Sequence, residues 1–335
     1  MSIDLRPTIA ISLGDPGGIG PECVVKALSD KDRRSRARYR VYGSAEPMAH
    51  AADAAGLPHA WWRIAEGSDL EPASAHDVVL IDSGGDSFER DHTARGGELS
   101  FNWVERGIEA CKSGAADALV TGPISKTAWR LAGKGRYPGH TELLASRFRA
   151  KRVGMLFVSD ELRVILATAH VPLMEIRNEL TIGRVFDAID LGHEACVKLG
   201  IREPRIAVAG LNPHAGEGGI LGDEETRIIE PAIAHANRQG IRAEGPFPGD
   251  TVFQKARQKP KTGPYHLVVA MYHDQGLIPV KLLAWDSAVN VTCGLPTPRT
   301  SPDHGTAFDI AGRNRADAGS MGAAIDLAVR LALAE

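Results

Sequence analysis

The sequence predicts an α/β protein whose largely parallel sheet is covered by helices, and three observations carry that expectation. Short apolar runs at residues 8–13, 39–42, 78–81, 118–120, 162–169, 205–211 and 267–271 have strand length and alternate with stretches of helical periodicity. Nearly every run leaves through Gly or Pro, as strands do when helices return the chain to the same sheet. With 335 residues, the chain exceeds the usual size of one hydrophobic core, so two domains are expected, with a boundary in the basic, Gly-containing stretch near residue 130.

Residues 8–13 read as the first strand, and Gly14-Asp15-Pro16-Gly17-Gly18-Ile19-Gly20 follows as a turn before Pro21 opens a helix. Such a turn either cradles a phosphate or packs a helix on a sheet. Its spacing is not GxGxxG, and the strand at 39–42 ends on Gly43-Ser44 without the acid that would hold a ribose, so a Rossmann fingerprint is rejected. Residues 47–55 read as a helix and 82–97 as a polar loop. Phe101, Val104, Ile108 and Cys111 then mark a helix over 99–113. His140 and Thr141 fall at a helix entrance, where Thr141 is expected to cap. Residues 180–199 form the next helix, Asp223-Glu224-Glu225 open another as acids complementing its dipole, and residues 301–307 precede a further one. Residues 318–334 close the chain as a core-packing helix returning to the first domain.

Chemistry concentrates at three strand exits. The run at 162–169 ends on His170, that at 205–211 on Asn212-Pro213-His214, and that at 267–271 on Tyr272-His273-Asp274-Gln275-Gly276. Three imidazoles delivered by separate strands suit a divalent ion with open positions. Asp250, in the turn-rich stretch between the second and third histidines, is a secondary candidate, and Lys281, Asn290, Arg299, Asp303 and His304 follow. Read alone, Lys281 is an ordinary lysine at a strand end.

Composition narrows the partners. A net charge of −3 without a Lys/Arg block argues against nucleic acid or an anionic membrane, and no apolar run approaches the ~20 residues of a membrane span. The amino terminus carries Asp4 and lacks the long apolar core of a secretion signal. Four cysteines without a CxxC pair fit reduced thiols in a cytoplasmic protein.

Six motifs in order, GDPGGIGPE, TGPISK, YPGHTELLA, NPHAGEGG, YHDQG and GLPTPRTSPDHGTAFDIAG, resemble the 4-hydroxythreonine-4-phosphate dehydrogenase (PdxA) family over nearly the whole chain. The resemblance implies a two-domain, three-layer α/β/α fold similar to isocitrate and isopropylmalate dehydrogenases, with the active site in the interdomain cleft. The first domain would comprise residues 1–130 and 300–335, and the second, residues 131–299, would carry the metal ligands and the dimer interface. It implies metal ligation by His170, His214 and His273, the last from the partner chain of a homodimer. Substrate binding falls to His140, Thr141, Lys281, Asn290 and Arg299, and Lys281 and Asp250 stand as catalytic candidates. The implied reaction is NAD-dependent oxidation of 4-phosphooxy-L-threonine, with NADP as an allowed alternative, aided by one Zn, Co, Mg or Mn ion and followed by decarboxylation to 3-amino-2-oxopropyl phosphate in pyridoxal phosphate synthesis. HDQGLIPVKLL departs from the form associated with that substrate and is closer to relatives acting on D-threonate or D-erythronate 4-phosphate. Oxidation of a cis-dihydrodiol carboxylate is a further alternative, and a noncatalytic metal- or metabolite-binding protein on the same fold is the reading from another class.

Overall fold

Apolar runs become strands wherever Gly or Pro interrupts them, and the computed structural model, which describes residues 5–85, 88–258 and 264–334, shows where each one goes. Residues 86–87 of the expected polar loop, and Asp4, lie outside the described residues. Contacts divide the chain into two units, Met1–Ala150 with Leu295–Leu333, and Lys151–Gly294. The first boundary thus lies at Ala150 rather than near residue 130, because the helix after the basic stretch packs within the first unit.

The first unit contains β1 (Thr8–Ser12), α1 (Gly20–Leu28), α2 (Lys31–Ser35), β2 (Arg38–Gly43), α3 (Ala45–Ala55), β3 (Trp62–Ala65), β4 (Val78–Asp82), α4 (Ala94–Lys112), β5 (Ala118–Thr121), α5 (Lys126–Leu131) and α6 (His140–Phe148). The second contains β6 (Gly154–Val158), β7 (Arg163–Leu166), α7 (Ile176–Glu179), α8 (Ile182–Lys198), β8 (Arg205–Ala209), α9 (Glu230–Arg238), β9 (Arg242–Phe247), α10 (Val252–Ala256), β10 (Leu267–Ala270), α11 (His273–Ala284) and β11 (Val289–Cys293). The chain then returns to the first unit with β12 (Arg299–Pro302) and α12 (Gly319–Ala332).

In the first unit the strand order is β3-β4-β2-β1-β5-β12, every neighbouring pair parallel, as expected of strands joined by helices. In the second it is β11-β6-β7-β10-β8-β9. β6 runs antiparallel to both β11 and β7, whereas β7, β10, β8 and β9 are parallel. The central strands read as continuous apolar runs because both faces are buried: Val164, Ile165, Ile206, Val208, Val268 and Val269 are fully enclosed.

Three elements differ from expectation. Helix α4 begins at Ala94, so the end of the supposed polar loop is its first turn. Thr93 caps it by accepting from Gly96 N–H, and a side chain at Gly97 would meet the Ala128 carbonyl oxygen at 2.1 Å. The glycines that signalled a loop are there for close packing of α4 on α5. Glu225 opens a helical stretch as expected, in π geometry over Glu225–Ile229 before α9, but it does more than face a dipole: it is buried and accepts from Leu211 N–H, Asn212 N–H and the Asn212 side-chain amide. No helix follows residues 301–307; the chain turns through 308–314, with Ala307, Gly312 and Asn314 at positive φ.

Candidate active site

Strands β7, β10 and β8 are parallel neighbours, so the segments carrying His170, His273 and His214 leave the same edge of the second unit's sheet. Gln275 ties two of these exits together, its amide donating to Gly210 carbonyl and accepting from Met271 N–H. Gly276 lets α11 seat on β7, since a Cβ there would stand 2.7 Å from Leu166. The rings of His170 and His273 lie 5.7 Å apart between centroids. His214 sits in a left-handed run in which His214, Ala215 and Glu217 all have positive φ, a conformation non-glycine residues rarely adopt unless the surroundings impose it. Here the clamp is Glu225, holding the entry to the loop through three donors.

The imidazoles of His214 and His273 are oriented alike. Nδ1 of His273 donates to Asp274 at 2.7 Å and Nδ1 of His214 to Glu217 at 2.9 Å. A carboxylate can only accept, so each contact fixes the tautomer and turns Nε2 outward as a metal donor, the usual carboxylate–histidine–metal arrangement. These residues therefore fit a divalent ion. Among the described residues, no group of three His, Cys, Asp or Glu side chains is gathered closely enough by one chain to hold it. Structure places His170 beside His273 and leaves His214 apart from them, lining a groove of about 690 Å³ with Asp250, Tyr272 and Gln275. Lys281 is on helix α11 rather than at a strand end, its ammonium 5.1 Å from the Trp285 ring centre. Asn290, on β11, buries a side-chain oxygen that meets no donor among the described residues.

The remaining predicted site residues belong to the first unit. Arg299, on β12 beside β5, is only 2% exposed and donates from Nη2 to the Thr121 hydroxyl at the end of β5. Burial pulls its guanidinium down to about 9, leaving it charged at neutral pH. His140 opens α6; burial, then the charges of Arg299 and Lys126, hold its pKa well below the usual range, so the ring is neutral. Thr141 is not the cap: Gly139 occupies that position, and no side chain closes the helix start.

The Gly-rich turn after β1 follows the packing reading. Gly17 N–H donates to the Asp15 carboxylate, Gly18 N–H to Asp15 carbonyl and Ile19 N–H to Thr306 carbonyl, and Glu22 lies in the first turn of α1. Those donors are engaged by the protein itself, so the turn does not fit a dinucleotide. Sequence reasoning missed Gln275 and the clamp Glu225. The amide beside the third histidine motif was a usable signal for the first, whereas Glu225 is a helix-opening acid whose second role, holding the histidine loop, leaves no mark in the sequence.

Comparisons with known proteins give the family. The model of the family described as pyridoxal phosphate biosynthetic protein PdxA matches residues 35–328. A 4-hydroxythreonine-4-phosphate dehydrogenase of Beijerinckia indica is 46% identical over 329 residues, covering 96% of this chain and 94% of that one. A D-threonate 4-phosphate dehydrogenase of Salmonella typhimurium is 42% identical, covering 97% of this chain and 99% of its own. The crystal structure of a 4-hydroxythreonine-4-phosphate dehydrogenase from Klebsiella pneumoniae superposes with a TM-score of 0.85 at 38% identity over 99% of both chains. A likeness that spans the chain from end to end, with the histidine-bearing strand exits inside the matched region, establishes that this chain belongs to the PdxA family.

Proposed function

We propose that this protein is an NAD-dependent oxidoreductase that oxidises a phosphorylated 3-hydroxy acid, 4-phosphooxy-L-threonine first, with decarboxylation to 3-amino-2-oxopropyl phosphate in pyridoxal phosphate synthesis. The observation that carries the reading is the set of three histidine-bearing exits from neighbouring parallel strands in a chain 46% identical to a named 4-hydroxythreonine-4-phosphate dehydrogenase.

His170, His214 and His273 are the residues that would hold a divalent ion, with Asp274 and Glu217 fixing two of the rings. Such an ion supplies Lewis acidity to the hydroxyl being oxidised and to the carbonyl that replaces it, and NAD supplies the hydride acceptor. Imidazole donors favour Zn²⁺, Co²⁺ or Mn²⁺ over Mg²⁺. No residue of this chain is assigned to NAD, since the Gly-rich turn does not fit it. Arg299 offers a planar fork to an anionic oxygen pair, and neutral His140 with Thr141 adds hydrogen bonds. Asn290 has a buried oxygen to orient a substrate donor. Lys281 and Asp250 are the side chains assigned to proton transfer.

The second reading, oxidation of D-threonate or D-erythronate 4-phosphate, is favoured by the HDQGLIPVKLL segment and by the 42% identical D-threonate 4-phosphate dehydrogenase. The working form is a homodimer: α11, which bears His273 and Lys281, exposes Ile278 and, at 81%, Leu282, and Trp285 just after its end is 72% exposed, a face that a second copy would cover. Four buried, unpaired cysteines and the absence of any membrane-crossing helix among the described residues suit a cytoplasmic setting.

NADH formation tests the reading against 4-phosphooxy-L-threonine, D-threonate 4-phosphate, D-erythronate 4-phosphate and a terephthalate dihydrodiol, before and after chelation. The highest kcat/KM is expected on 4-phosphooxy-L-threonine, lost on chelation and restored by Zn²⁺ or Co²⁺. Bound metal with no NADH from any member of the panel would establish the noncatalytic reading, and activity undiminished by chelation would remove the metal.

A further inference from the structure

Around the exit of β5, the first unit gathers more positive charge than a carboxylate needs. Arg299 donates to Thr121, the last residue of β5, and Ser125, just beyond, caps α5 by accepting from Ala128 N–H, which fixes Lys126 as the first helical residue. Lys126 and Trp129, three residues apart, lie on neighbouring positions of one helix face, and the Trp129 ring meets His140 edge-on at 5.7 Å. Lys126 reaches the start of α6 as well: a Cβ on Gly139 would stand 3.5 Å from its Cε, with the Glu142 carboxylate 3.4 Å from the same point. Nε2 of His140 is buried there and meets no partner among the described residues. Two cations, a neutral imidazole and the Glu142 carboxylate, which forms no ion pair with Lys126 among the described residues, therefore border one helix start that no side chain caps.

A carboxylate carries one negative charge and is satisfied by the fork of Arg299 alone. A phosphate monoester carries between one and two at neutral pH and has three acceptor oxygens, so a second cation acts chiefly on a phosphorylated ligand. We propose that Lys126 is a specificity-determining residue that selects phosphorylated over unphosphorylated substrates, sharing the phosphate with Arg299 and His140. This rests on the reading of the substrate given above.

The test compares Lys126→Met and Lys126→Arg with the wild-type protein in two measurements. In turnover, Lys126→Met raises KM for 4-phosphooxy-L-threonine by about tenfold or more, the worth of one charge-assisted hydrogen bond, with a much smaller change in kcat. Lys126→Arg recovers most of that loss, and any turnover of unphosphorylated 4-hydroxy-L-threonine is unchanged in both. Titration calorimetry with inorganic phosphate as the probe is independent of the reaction: Lys126→Met weakens binding in parallel, while the unfolding temperature without ligand stays at the wild-type value. Unchanged phosphate affinity and KM in Lys126→Met would overturn the proposal, as would a wild-type protein that binds no phosphate. If no substrate is turned over but Lys126→Met still loses phosphate binding, the reading of the reaction fails and the role of Lys126 stands.

Discussion

Asp15 shows how one buried carboxyl couples the Gly-rich turn to pH. It is 1% exposed, and loss of solvent is the main cause of a pKa raised from 3.8 to about 6, opposed by the Gly17 N–H bond and the charge of His92. Because the folded state binds this proton more tightly than the unfolded state, stability falls as pH rises from about 4 to 6, and the penalty persists above that window. Its upper bound is about 3 kcal/mol from the size of the shift. Asp15→Asn keeps an oxygen to accept from Gly17 and removes the charge. The variant is therefore expected to unfold a few degrees higher than wild type at pH 7.5, with the gap narrowing steadily as the pH falls towards 4. A lower melting temperature at pH 7.5 would mean that an ionised Asp15 is needed by the fold. Sequence alone showed the turn but not this burden, because whether an Asp after a strand is solvated depends on what packs over it.

At the scale of elements, strand exits were legible and their supports were not. The apolar runs ending on His170, His214 and His273 predicted three strands, and the structure adds that β7, β10 and β8 are parallel neighbours. The left-handed course of the loop from Asn212 to Gly219, and its clamp fourteen residues from Leu211, involve partners that periodicity cannot reveal. Likewise α4 was read five residues short, because Gly96 and Gly97 look like loop residues until the neighbouring helix is seen. Glu225→Ala leaves three donors at the loop entry unmet. Metal affinity is expected to fall by about 10- to 100-fold, as when other supports behind a ligand are removed, with a loss of roughly 2–4 kcal/mol in stability. Glu225→Gln, which keeps an acceptor oxygen, should lie near wild type in a metal titration. Wild-type metal affinity in a destabilised Glu225→Ala protein would confine Glu225 to the fold.

For the whole molecule, periodicity and Gly/Pro punctuation gave the parallel sheet and its helices, whereas the return of β12 and α12 to the first unit was foreseen only through the resemblance for β12 and by expectation for α12. Assembly is not encoded in any periodicity. Two structural facts bear on it: one chain pairs His170 with His273 but gathers no third ligand among the described residues, and the helix that begins with His273 exposes a row of large apolar side chains. In the proposed homodimer a second copy completes the three-histidine set, and His273, at the start of the helix with the exposed apolar face, is the donor proposed to cross. The most direct measurement mixes inactive His→Ala chains pairwise, confirms subunit exchange by mass labelling and records NADH formation. Mixing His170→Ala with His273→Ala is expected to restore roughly a quarter of wild-type activity, since about half the dimers are mixed and one of their two sites is intact. His214→Ala with His273→Ala should do the same, and His170→Ala with His214→Ala should recover nothing. Recovery only in mixtures containing His214→Ala would assign His170 and His273 to one chain, and no recovery in any mixture would contradict a site completed between two chains.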